Sequence, residues 1–122
     1  MNIQKLWERA LYEHNKSDFH EAHELFEDLW MELDERTERD IVQTLAQADA
    51  LAVHLETGNI AAAQRLMRQL PELLQNFPNN YKNIDLTEMK QWIVAKISVI
   101  PQIGIVPEIS DIVPPKLLNS RY

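Results

Sequence analysis

Apolar residues recur at helical spacing along four long stretches of the chain, and a fifth such stretch follows a loop. Leu6, Trp7, Ala10 and Leu11 mark one face of a first helix over about residues 3–13. Asn15 to Ser17 reads as a polar turn, and Asp18 with Glu21 as a capping-box-like start of the second helix. Phe19, Ala22, Phe26, Leu29, Trp30 and Leu33 then fall within a stripe of about 100° and define its buried face.

The third stretch, about residues 38–57, differs in kind. Between Ile41 and Leu55 only Asp49 carries a formal charge, so the helix is apolar on most sides and should be surrounded by others. Gly58 suits a left-handed end, and Asn59 can cap the next helix at once. The fourth helix uses Ile60, Ala63, Leu66, Met67, Leu70 and Leu74, with a kink expected at the interior Pro71, which removes a hydrogen bond. Phe77-Pro78-Asn79-Asn80 breaks it. Asp85 and Glu88 open a last helix carrying Leu86, Met89, Ile93, Ile97 and Ile100, stopped by Pro101. The pattern predicts an all-α fold, a compact bundle of about five helices built on two helical hairpins, over residues 1–101. Residues 102–122, apolar and rich in proline, should form a tail extended across the bundle or across a partner subunit.

A weak internal repeat underlies the hairpins. At an offset of 41 residues, Ala22, Leu25 and Leu29 face identical Ala63, Leu66 and Leu70, while Phe19 and Phe26 face the similar Ile60 and Met67. The two units differ where the first has His23, Glu24 and Glu27 and the second has Gln64, Arg65 and Arg68. Framework is thereby separated from residues that need another explanation.

Charge changes the picture locally. The 122 residues carry a net −7, which argues against nucleic acid as a partner and against an electrostatic hold on anionic membrane. Residues 18–40 alone hold ten acidic and two basic groups, so the remainder is close to neutral. No cysteine is present, which excludes disulfides and thiolate metal sites and fits a cytoplasmic protein. The opening MNIQKLWERALYEH has neither the apolar run of a signal peptide nor that of a membrane anchor.

The polar groups on the helices are the candidate chemistry. His23 lies at the edge of the apolar stripe, and Glu27, one turn on, lies on the same side, so imidazole and carboxylate can meet beside an aromatic wall. Such a pair can ligate a metal, move a proton, or simply be a satisfied core histidine. Gln43, Gln47, Ala50 and His54 share a stripe on the third helix; facing His23 and Glu27, they would gather two imidazoles, a carboxylate and an amide, a set suited to zinc, manganese or iron. Asp49, if buried, should pair with a cation such as Arg65 or Arg68. His14 and His20 read as exposed turn or surface histidines. Glu24 points away from the apolar stripe, and the second histidine of a zinc-protease HExxH is missing. No ferritin-like Glu-x-x-His spacing occurs.

The run Phe19-His-Glu-Ala-His-Glu-Leu-Phe-Glu-Asp-Leu-Trp30, followed by Arg39, Gln43, Gln47, His54 and Gly58-Asn59, resembles the domain-of-unknown-function family 309. The resemblance spans about residues 6–75. It implies an all-helical fold, a motif set of His23, Glu24, Glu27, Trp30, Gln43, Gln47 and His54, and a label sometimes given to the family, predicted metal-dependent hydrolase. Ser17 and Thr44 stand where the family usually has glycine, which costs a turn backbone freedom and adds bulk between helices. Two functions follow as expectations. One is a binding or scaffolding module whose polar interior sets helix register, with a protein partner or a second copy met through the tail. The other is a hydrolase with His23, Glu27 and His54 as metal ligands, Gln47 holding substrate or water, and Glu24 as candidate base.

Overall fold

The computed structural model describes residues 2–99 and 113–120. In chain order the elements are α1 (Ile3–Asn15), α2 (Phe19–Glu32), α3 (Arg36–Glu56), α4 (Ile60–Leu74), β1 (Asn80–Tyr81), β2 (Ile84–Asp85), α5 (Thr87–Val99) and β3 (Leu118–Asn119). The fold is all-α in class, as the periodicity predicts. Ile100 and Pro101, the expected stop of the last helix, and the apolar residues 102–112 lie outside the described residues.

α3 is the central helix, packed against both α2 and α4, while α1 packs chiefly against α2. Its burial runs nearly all round, from Ile41 and Val42 through Ala48 and Asp49 to Leu55, which is what the near absence of charge over that stretch requires. Trp7 of α1 meets Phe26 of α2 edge-on, with ring centroids 6.1 Å apart, and Tyr81 at 5.3 Å. Thr44 is fully buried and turns its hydroxyl back to the Asp40 carbonyl at 2.7 Å, so its polar atom is satisfied within α3.

The repeat shows in the backbone. Asp18 and Asn59 cap α2 and α4 with nearly the same dihedrals, φ −89°, ψ 75° and φ −83°, ψ 75°, each accepting a bond from the amide three residues on. The residue before each cap is left-handed, Ser17 at φ 68° and Gly58 at φ 76°. Glycine takes that conformation at little cost; serine takes it against the clash of its Cβ. α3 starts at Arg36, before the predicted Glu38, because Glu35 serves as its cap and accepts from the Glu38 amide at 2.7 Å. Pro71 sits within the single helix α4 on its exposed side.

Sequence periodicity misses a small sheet. β1 and β2 form a hairpin through Lys82 and Asn83, both with positive φ, as a two-residue type I′ turn requires. β3, from the end of the tail, pairs antiparallel with β2, placing Ile84 opposite Asn119 and Asp85 opposite Leu118. Asp85 also accepts from the Thr87 amide at 2.9 Å and so helps to start α5. The described part of the tail thus lies across its own domain. Leu117 is buried, and Asn15 holds that residue from both sides, accepting its amide at 2.7 Å and donating to its carbonyl at 2.9 Å. No helix among the described residues is long and apolar enough to cross a membrane.

Candidate functional site

α2 and α3 enclose an open pocket of about 230 Å³ lined by His20, His23, Glu24, Ala50, Val53 and His54. The two helices pack together, and the small Ala50 shares the pocket wall with imidazoles from both. His23 keeps its Nδ1 2.9 Å from the Ala46 carbonyl. A carbonyl only accepts, so Nδ1 carries the hydrogen, and in the neutral ring the lone pair is on Nε2. Nε2 lies 3.9 Å from Glu27 Oε1, one turn along the helix, with side-chain exposures of 26 % and 42 %. The predicted His23–Glu27 pairing is therefore present as a loose, half-open contact.

The partners expected from α3 divide. His54 and Ala50 join the pocket wall, whereas Gln47 turns to α4 and donates to Gln69 at 3.2 Å. Gln43 is half-buried and lies outside the wall. Trp30 is also apart from it, stacked under the Arg39 guanidinium at 4.2 Å from the ring centroid. Glu24 is exposed, as its wheel position implies, yet it forms part of the rim. His20 is exposed too, and sequence reasoning missed its place here. The signal was its spacing of three and four residues from His23 and Glu24 on one helix. Partial burial, then Arg65 and His23, hold His54 below the ordinary histidine range, so its ring is neutral at pH 7. Among the described residues no three His, Asp or Glu side chains are gathered closely enough to hold a metal ion. His23, Glu27 and His54, the expected ligand set, are not gathered as such a group in this arrangement.

A second histidine site is buried. His14, expected on the surface, is 2 % exposed, and Asp49, expected to meet Arg65 or Arg68, is fully buried with its Oδ1 2.6 Å from His14 Nδ1. Both arginines stay exposed. The correction has a simple cause. His14 lies seven residues after Trp7 and four after Ala10, on the face of α1 that packs inward, and that face meets α3 at Asp49. The other ring nitrogen, Nε2, reaches the Pro115 carbonyl at 2.8 Å, and Phe19 packs edge-on against the ring at 5.4 Å between centroids. Among the described residues, Asp49 Oδ2 is buried with no hydrogen-bond partner.

Fold and pocket define a mainly helical, two-hairpin domain with an imidazole-lined cleft. Residues 7–66 match the family described as Domain of unknown function (DUF309), so the resemblance seen in the α2 and α3 motifs holds from α1 into α4. A protein of Aquifex aeolicus (strain VF5), named only as an uncharacterized protein, is 27% identical over 106 residues, 86% of this chain and 31% of that protein. The chain spans about a third of that relative's length. Neither name carries an activity.

Proposed function

We propose that this chain is a binding module and that the α2–α3 pocket receives a basic side chain of a protein partner. The pocket is the observation that supports the reading. At about 230 Å³ it is smaller than the roughly 300–1,000 Å³ of sites that enclose drug-sized ligands, and its size suits one side chain. Its chemistry accepts hydrogen bonds: the Glu24 carboxylate, the neutral His54 ring and the His23 ring whose Nδ1 is already committed. Ala50 and Val53 offer an apolar floor for an aliphatic stem. α2 carries Glu21, Glu24, Glu27, Asp28 and Glu32 and no lysine or arginine, so its field draws cations. The alternative of a hydrolase has no comparable observation in its favour.

The test is NMR of the histidine rings in the full chain, titrated with a lysine- and arginine-containing peptide and with an acidic one. The basic peptide should shift the His20, His23 and His54 signals and spare His14, with Glu24→Gln weakening binding about fivefold, as for one exposed ion pair. Equal response to the acidic peptide, or none to the basic one, would refute the reading.

A further inference from the structure

We propose that residues 113–120 form a proton-gated strap, held on the bundle while His14 donates from both ring nitrogens and loosened when it can donate from only one.

The hydrogen-bond geometry leads there directly. Pro115 offers His14 Nε2 a carbonyl, which only accepts, and Asp49 offers Nδ1 a carboxylate at 2.6 Å. With one proton on Nε2 and one shared between Nδ1 and Oδ1, both contacts are satisfied and the pair is neutral overall. When the shared proton leaves to solvent, a single N–H remains for two acceptors. One side must then place a lone pair against a lone pair. Asp49 is the side that keeps the donor, because it is charged, fully buried and already has an unpartnered Oδ2, and losing its last bond would strand it. Pro115, on a segment with an exposed Val113 and an exposed Leu118, is the side that lets go. The strap is then held by the Asn15 clamp, the short β2–β3 pairing, the bonds of Ser120 to Asn83 and Asn80, and the buried Pro114 and Leu117.

The elements packed against the pair carry other charged groups. On α2, His23 acts on Asp49 through its charge. On α1, the Glu13–Lys16 ion pair lies at the helix end at 3.5 Å. On the strap, Lys116 is exposed. Burial depresses His14, but the bond to Asp49, the Asp49 charge and the Pro115 carbonyl outweigh it, and the ring stays protonated above its ordinary 6.5. Burial, opposed by His14, likewise holds the Asp49 carboxyl above its ordinary range. The strapped state therefore holds a proton that the open state lacks. Because Asp49 keeps its bond to His14 when the strap lets go, it is the Pro115 bond, last among the causes that raise His14, that couples the proton to closure, and closure weakens as pH rises through the raised His14 value.

The chain has no cysteine, so a spin label on Leu118→Cys reports on the strap alone. Between about pH 6 and about pH 9 its mobile fraction should rise severalfold while helical circular dichroism holds, with the midpoint of the His14 ring titration read by NMR. Adding Asp49→Asn should flatten the profile, because the amide can donate to Nδ1 and leave Nε2–H on Pro115 in a neutral ring. A flat profile in the labelled parent, a midpoint different from that of the His14 ring, helix loss in step with the label, or an unchanged slope in Asp49→Asn would each overturn the proposal. The first three readouts need no variant at Asp49.

Discussion

The two hairpin turns of this domain are built alike and carry different residues at one buried position. At the repeat offset, Ser17 corresponds to Gly58, Asp18 to Asn59, and His14 to Leu55. Both turns send a bond back to the preceding helix from the cap residue, Asp18 to Glu13 at 2.9 Å and Asn59 to His54 at 2.8 Å. Leu55 fills its position with apolar surface and needs no partner. His14 fills the equivalent one with a ring whose two nitrogens must be satisfied, and it takes Asp49 from α3 and Pro115 from the strap. The second hairpin is thus a framework only, while the first ties the framework to the end of the chain.

The largest expected effect comes from breaking the tie on one side. Asp49→Ala leaves His14 buried without its carboxylate, which should cost about 3–5 kcal/mol, the range for a buried pair with one partner removed. His54→Ala, in the open pocket, should cost under about 1 kcal/mol. Urea denaturation of the two variants measures both. Comparable losses would show that the buried pair has no special weight and that the two turns differ in sequence alone.

What was legible in the sequence follows the same division. Helix positions, the caps Asp18 and Asn59, the left-handed Gly58 and the central place of α3 all arise from local pattern, and local pattern is on the chain itself. The His14–Asp49 pair joins residues 35 apart in sequence, and a helical wheel shows a face without showing what it meets. The inward face of α1 and the match of His14 with the apolar Leu55 were both readable signs against a surface histidine. Gln47 was placed on the right stripe, but that stripe is wide enough to touch α4, and Gln69 captures it. His23 and His54 do come to one pocket, as their spacing and the family resemblance suggested. The two-residue strands are too short for any period to appear.

Exchanging the turn residues tests whether the two hairpins share one backbone need. Ser17→Gly removes the cost of a side chain at φ 68° and should stabilise the protein by about 0.5–1 kcal/mol, after the extra freedom glycine has in the unfolded chain is counted. Gly58→Ala should destabilise by about 1 kcal/mol through conformation alone, because a Cβ there meets nothing within 4 Å. Opposite signs in thermal melting support a common turn. A destabilised Ser17→Gly would mean that the serine hydroxyl contributes something the backbone geometry does not require.

The smallest expected change is the most discriminating. The double variant His14→Leu with Asp49→Leu gives the first hairpin the apolar choice that Leu55 makes in the second. Replacing both members of a buried ion pair by apolar groups is often neutral or stabilising, because their desolvation cost disappears along with their attraction. One bond to the strap is lost, at about 1 kcal/mol, while Asn15 and β2 continue to hold it. Global stability should therefore stay within about 1 kcal/mol of the parent. A strap label on that variant should be more mobile than in the parent at low pH and indifferent to pH. If the double variant instead falls as far as Asp49→Ala, the pair is needed for packing the bundle itself, and its role would be the same as that of Leu55 at the other turn.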